Sequence, residues 1–300
     1  MGEIVMSKVS IFWDPASLTV DSLGKKNLIS TSDADTVKIS VAIRMLSIDA
    51  PELHYPNNKK PSKQDANLAQ LATWIQSGEA PIQNDLGQYL LPKLATGQAG
   101  TLQEQQGNQA KTFFKTLVDN KLKPPGGKKR NLFVHAADEH FDSYGRLLAY
   151  IAPSYTSKEL DTMSRMDRAT FNLLLVEAGW AASFPIYPSI PSYPDLVLLQ
   201  KAAKDAVDNK LGIWADPMTL TGYEFRMCVK LYQITQRLVD GEDLNRYVKG
   251  GWISRYCVDM TTREVFYPQD YFKVKTYNRI FLWPNDVAEA VTTMNLVPPR

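Results

Sequence analysis

The stretch DADTVKISVAIRMLSIDAPE, residues 33–52, constrains this chain more than any other. Aliphatic residues alternate through its middle as they do in a strand with one buried face, yet acids crowd both ends and Arg44 interrupts the apolar run. Val37, Ile39, Val41 and Ile43 share one parity, whereas Arg44, Leu46 and Ile48 share the other. A strand cannot change parity and keep the same face dry without a bulge, a bend or a tight turn. A break is therefore predicted between Val41 and Arg44. A fold there brings Asp35, at one end of the run, toward Asp49, at the other.

Taken singly, these charged residues are ordinary. An Asp at a strand end is most often a turn residue, and a strand Arg commonly snorkels. Together, Asp35, Arg44, Asp49 and Glu52 frame one bend, and that combination matches the needs of phosphodiester hydrolysis. Its transition state gathers negative charge. A hard cation held by carboxylate and carbonyl oxygens relieves that charge, and guanidinium groups clamp the phosphate oxygens. A carboxylate free of the metal can then take a proton from water.

The rest of the chain reads as an ordinary globular protein of 300 residues. Strands are expected at 27–32, 36–48, 131–137 and 146–151, and amphipathic helices at 65–78, 107–122, 166–180 and 193–214. Residues 55–106 change character, with a Lys- and Pro-rich loop, a helix, a second short helix and a Gln-rich stretch that reads as solvated. This block looks like an insertion. Beyond Pro217 the pattern weakens. Residues 223–238 suit helix or strand, and strands are expected within 251–260, 263–274 and 279–283. Aromatic residues are too dense there for a flexible tail, so some should pack on the preceding domain.

The charge balance, 34 Lys and Arg against 32 Asp and Glu, argues neither for nor against a polyanionic partner. Locally, Lys121, Lys123, Lys128, Lys129 and Arg130 form either a solvated loop or a phosphate contact. Cys228 and Cys257 exclude a disulfide scaffold and a CxxC metal knuckle, which leaves two buried thiols or one disulfide. His54, His135 and His140 lack metal-binding spacing. No apolar run approaches the roughly 20 residues of a membrane helix, so no membrane partner is expected. The opening MGEIVMSKVSIFW has no signal-peptide pattern, which leaves a cytoplasmic protein or one secreted after loss of a signal. The oligomeric state stays open.

These motifs resemble the staphylococcal nuclease (thermonuclease) family. Its D-x-D-T followed by R-x-L-x-[IV]-D-[TA]-P-E is met by Asp33, Asp35, Thr36, Arg44, Leu46, Ile48, Asp49, Ala50, Pro51 and Glu52. Its D-x-Y-G-R is met by Asp142, Tyr144, Gly145 and Arg146, and VEAGWA and KAAKDAVDNKLGIWAD are similar to its later helical segments. The likeness runs from about Asn27 to Asp216. The chain departs from the family in a shortened hairpin after D-x-D-T, in Ala34 for a common Gly, in Ser143 for a common Lys, and in Pro185 for a usual Tyr.

The resemblance implies an α+β domain, an OB-fold five-stranded β-barrel with packed helices, over residues 1–219. The insertion would occupy about 55–106, and a C-terminal appendage of unknown role 220–300. It implies a Ca²⁺-dependent, sugar-nonspecific endonuclease that hydrolyses DNA or RNA to leave 3′-phosphate ends. Asp35, Asp49 and the Ala50 carbonyl would hold the metal. Arg44 and Arg146 would hold the scissile phosphate, Glu52 would act as the general base, and Tyr144 and Tyr187 would contact the nucleotide. The alternative is a catalytically inactive nuclease-like module that binds nucleic acid or protein. Retention of Asp35, Arg44, Asp49, Glu52 and Arg146 separates the two, because an inactive relative would be expected to lose at least one.

Overall fold

A computed structural model describes residues 26–123 and 126–299, without the side chains of Asp138 and Glu139. The opening segment read for a signal peptide lies outside the described residues, as do Pro124 and Pro125 of the KPPGGKKR break. The chain begins with a hairpin of β1 (Leu28–Thr31) and β2 (Val37–Ile39), followed by β3 (Ile43–Met45) and β4 (Ile48–Asp49). The predicted break is present, since β2 ends at Ile39 and β3 starts at Ile43. A second break follows at Ser47, which takes a left-handed φ of 58° between β3 and β4.

Three helices come next: α1 (Asp65–Ser77), α2 (Asn84–Leu94) and α3 (Ala99–Leu122). The long antiparallel strands β5 (Leu132–Phe141) and β6 (Leu147–Pro153) lead to α4 (Ser157–Leu160), α5 (Phe171–Glu177), β7 (Ala182–Ser183) and α6 (Tyr193–Asp208). The C-terminal region holds α7 (Gly222–Val239), α8 (Arg246–Gly250), β8 (Tyr256–Asp259), β9 (Val265–Phe266), β10 (Arg279–Leu282) and α9 (Val287–Thr293).

Among the described residues the strands do not close into the expected five-stranded barrel. They form a β1–β2 hairpin, a β3–β6–β5 sheet, a β4–β7 pair and a separate β10–β8–β9 sheet. The mixed α+β character stands. The expectation of a buried strand over the middle of residues 33–52 is corrected: Val37 is 59% exposed, β3 is half-buried, and only β4 is fully buried. Strand propensity there is satisfied by the ladders rather than by burial on both sides. Residues 223–238, which suited helix or strand, are helix.

Local chemistry explains the helix starts. The Asp65 carboxylate accepts from the Gly100 and Thr101 amides at 2.7 and 2.9 Å, so a residue of α1 caps α3 from a distance. Thr221 and Glu224 form a reciprocal capping box at the start of α7. The Gln-rich stretch expected to be solvated lies inside α3, with Gln103 and Gln106 buried. Gln106 donates to the Ile213 carbonyl and the Thr219 hydroxyl at 3.2 and 2.6 Å, which gives its buried amide nitrogen two acceptors.

The largest core cluster belongs to α1, α2 and the C-terminal region together. Leu68, Leu71, Trp74, Leu86 and Leu90 of α1 and α2 pack with Phe225, Cys228, Leu231, Trp252 and Tyr271. Cys228 and Cys257 are both buried free thiols, and burial pushes the Cys257 thiol up to about 12. A second cluster, with Ile48, Val176, Leu199 and Ala203, joins β4 to α5 and α6.

Between α2 and α7 lies a buried polar network. One Glu224 oxygen accepts from the Tyr89 and Tyr271 hydroxyls at 2.8 and 3.1 Å and faces Arg279 at 3.9 Å; the other accepts from the Thr221 amide at 3.0 Å and faces Lys93 at 3.6 Å. Burial pushes the Glu224 carboxyl up, but Lys93, Arg279 and the hydrogen bonds outweigh it and hold the group below the usual carboxylate range. Such an anion is stable only while its cations remain, and removing one partner of a buried pair costs about 3–5 kcal/mol. Glu224→Gln should destabilise the protein by that order in denaturant unfolding at neutral pH. The folded value lies below the unfolded one, so the wild-type advantage is present above about pH 4.3 and lost as pH falls through the folded value. A pH-independent difference between the two proteins would disprove the charged network.

Candidate active site

The acids and arginines singled out in the sequence are set by two strand pairs. Parallel pairing of β3 with β6 puts Arg44 opposite Leu148, two residues from Arg146. Antiparallel pairing of β4 with β7 buries Asp49 opposite Ala182. Pro51 then carries the chain out to Glu52, which stays partly accessible.

Arg44 lies 3.9 Å from Asp49 and donates to the Ile48 carbonyl at 3.4 Å. Burial lowers its guanidinium from the usual value, with Asp49 acting against the shift and Arg226 and Arg146 adding to it. Arg146 is fixed by Asp142 across the β5–β6 turn. Its Nε donates at 2.7 Å and its guanidinium also pairs with the same oxygen at 2.6 Å. Burial pushes the Asp142 carboxyl up, but the Arg146 amide and side chain and the Tyr144 amide bring it below the usual range. Tyr144 is 80% exposed, and the Arg146 guanidinium sits 5.3 Å from its ring centre. Arg44, Asp49, Glu52, Arg146 and Tyr144 thus belong to one neighbourhood.

Asp35 and Tyr187 stand elsewhere. Asp35 is exposed on the β1–β2 turn, where it accepts from the Thr36 hydroxyl at 3.3 Å. Tyr187 is buried against the C-terminal region, with its hydroxyl donating to Glu289 at 2.7 Å and its amide to the Phe281 carbonyl at 2.9 Å. Among the described residues no hydrogen bond joins either one to Asp49 or Glu52.

The first turn of α7 occupies the acids. The Tyr223 amide donates to Asp49 Oδ2 at 2.6 Å, and Arg226 Nη2 pairs with Oδ1 at 2.8 Å. Nη1 of the same guanidinium pairs with Glu52 Oε1. Burial lowers the Arg226 value, but Asp49 and Glu52 outweigh it and raise the guanidinium above the ordinary one, so it stays charged. Gly222 backs onto the Ala50 carbonyl, where a Cβ would meet the oxygen at 2.5 Å. Only glycine allows so close an approach. Gln103 completes the frame. With its amide oriented to satisfy both neighbours, it accepts from the Glu52 amide at 2.7 Å and donates to the Leu220 carbonyl at 3.0 Å.

This donor set does not fit a divalent cation as arranged. Both Asp49 oxygens are engaged, α7 covers the Ala50 carbonyl, and Asp35 is on the exposed turn. Among the described residues no group of three acids, histidines or cysteines could hold a metal. Arg226, Tyr223, Gly222 and Gln103 escaped the sequence reading because they lie far along the chain or inside a segment that looked solvated. The capping pattern T-G-Y-E marks the helix start but not its target.

A family model described as staphylococcal nuclease homologue matches residues 42–216, more than half of the chain. The match begins beyond Asp35 and ends before Arg226. A relative, endonuclease YhcR of Bacillus subtilis (strain 168), is 27% identical over 186 residues. Those residues make up 61% of this chain but only 12% of the relative, so the chain corresponds to a small fraction of that protein.

The Gly222 contact gives a direct check on the site's construction. Gly222→Ala forces α7 away from the Ala50 carbonyl, at a cost of about 1–3 kcal/mol typical of overpacking. Gly250→Ala, with nothing within 4 Å of the added Cβ, is the matched control and should be near neutral. Equal stability of the two variants in chemical unfolding would mean that α7 does not rest on Ala50.

Proposed function

The chain belongs to the family of staphylococcal nuclease homologues, and on that footing we propose that it is an endonuclease hydrolysing DNA or RNA phosphodiesters without regard to the sugar, leaving 3′-phosphate ends. The observation that carries the reading is the pairing of β3 with β6, which brings Arg44 and Arg146 together beside Asp49 and Glu52. Two guanidiniums, one on β3 and one just before β6, suit the non-bridging oxygens of one phosphate. Their charge acts most strongly as the phosphorane forms. Glu52 carries its Arg226 bond on Oε1, which leaves Oε2 to accept a proton from the attacking water. The exposed Tyr144 ring borders the same surface and suits a contact to the nucleotide.

Nucleases of this family are generally Ca²⁺-dependent. Here a metal at Asp49 has to displace the Arg226 guanidinium and the Tyr223 amide, so Ca²⁺ and Arg226 compete for one carboxylate. That same occupancy supports a second reading, in which the chain binds nucleic acid and does not cut it.

Two experiments separate these readings. The protein is incubated with single- and double-stranded DNA and with RNA, in Ca²⁺, Mg²⁺ or chelator, and product ends are tested for a 3′-phosphate. Arg44→Ala and Arg146→Ala should each lower turnover by about 10²-fold or more, in line with loss of a transition-state donor. Wild-type turnover in either variant would reduce that arginine to a structural role. Calorimetric Ca²⁺ titration of the wild type and Arg226→Gln forms the second experiment. Tighter binding by the variant is expected, and equal binding would rule out the competition. Strand binding without cleavage in any metal, by wild type and Arg226→Gln alike, favours the non-catalytic reading.

A further inference from the structure

The C-terminal region brings two further cations to this neighbourhood, both outside the family match. Arg255 lies just before β8. Its guanidinium carbon is 4.0 Å from the Trp283 ring centre and 5.6 and 5.5 Å from those of Phe184 and Tyr223. Tyr223 is the residue whose amide bonds Asp49, so a single residue separates Arg255 from the candidate active site. Lys230 follows Arg226 by one turn of α7 and is exposed.

Arg255 differs from its neighbours in having no acid at ion-pair distance, with Asp49 acting on it from farther off. Arg44 faces Asp49, Arg146 pairs with Asp142, Arg226 with Asp49 and Glu52, and Arg279 faces Glu224. Among the described residues no carboxylate lies within ion-pair distance of Arg255 or Lys230, and Arg255 Nε is buried without a hydrogen-bond partner. An aromatic cage offsets some of the desolvation cost of a guanidinium but leaves its forked donors unused. Partial desolvation lowers the ammonium of the largely exposed Lys230, and Arg255 and Arg226 lower it further, which places both groups in one positive field. Among the described residues, Arg44, Arg226, Arg255 and Lys230 stand here against Asp49 and Glu52, so the local charge favours an anion.

We propose that Arg255 and Lys230 form a phosphate subsite that holds the backbone of a nucleic-acid strand next to the Arg44–Arg146 pair. The inference rests on the nuclease-family reading for the identity of the polyanion. The cage fixes the Arg255 plane, which suits bidentate contact with a phosphate, and Lys230 adds a mobile point charge one turn along the helix from Arg226. The subsite serves strand affinity. Such contacts act on the backbone and not on base sequence.

The test measures binding of a long fluorescent single strand in chelator as salt is raised, together with cleavage of short and long substrates in metal. Lys230→Ala is exposed and should fold normally. Arg255→Met keeps much of the apolar volume in the cage, and thermal unfolding verifies it. Each variant should weaken binding and reduce the slope of log affinity against log salt by about 0.7, the share of one phosphate contact on a single strand. Each should also raise KM more for the long substrate than for the short one. Lys201→Ala, which removes a lysine paired with Asp205, controls for net charge. Folded Lys230 and Arg255 variants with the wild-type slope, or an equal loss in Lys201→Ala, would overturn the subsite. A wild type that binds strands but never cuts them defeats the nuclease reading alone, and slope loss in the two variants then still supports the subsite.

Discussion

The first turn of α7 is held from two sides by opposite charges, and most of the architecture serves that arrangement. Glu224 points into the protein, where Lys93, Arg279, Tyr89 and Tyr271 surround its carboxylate. Two residues later in the chain, Arg226 points to the other side and meets Asp49 and Glu52. Neither charge tolerates burial alone. A turn anchored at both positions has little freedom to rotate or slide. The capping box at Thr221 uses the same glutamate, so the helix start and the buried network are a single feature.

That turn joins α1 and α2 to the C-terminal region in a single packing unit. Helices α1 and α2 supply the apolar wall and two partners of Glu224, while α7, β8 and β10 supply the opposite wall. Trp74 of α1 stacks on Tyr232 of α7 at 5.3 Å, and Tyr89 of α2 stacks on Phe272 at 5.2 Å. Phe184, just after β7, joins Tyr223 and Phe281 at 5.2 and 4.4 Å and carries the aromatic packing back to the strands that bear Asp49. Helices α1 and α2 and the residues beyond the family match thus determine together how Asp49 and Glu52 are presented.

Much of the local order was legible in the sequence. The parity change between Val41 and Arg44 marked a real break, and helical spacing located α1, α2, the second half of α3, α5 and α6. The neighbourhood of Arg44, Asp49, Glu52 and Arg146 followed from two motifs about a hundred residues apart. What stayed hidden depended on long-range partners. Gln103 and Gln106 looked solvated because a buried amide is betrayed only by its partners, which here are acceptors within residues 213–220 and the donating amide of Glu52. Exposure of Val37 and Ile39 was invisible because β-branched residues report strand conformation and not which face is covered. Arg226 carried no local signal at all. On an amphipathic helix it reads as one more solvated cation, and only the docking of α7 on Ala50 turns it toward the acids.

A guanidinium and a divalent ion meet the same electrostatic demand at Asp49 and Glu52 in different ways. A metal gathers oxygen ligands around a point and accepts water among them. A guanidinium is planar, binds the two carboxylates side by side through separate nitrogens, and arrives already attached to a helix. Exchanging the second for the first requires more than a change of rotamer, because the Tyr223 amide also holds Asp49 and Gly222 covers the Ala50 carbonyl. The first turn of α7 has to yield as a unit, and Glu224 resists that through its buried partners. The cost of presenting Asp49 to a metal is therefore set largely by packing between α2 and α7, remote from Arg44 and Arg146. Through that linkage, whatever loosens or tightens the C-terminal region shifts the state of the acids.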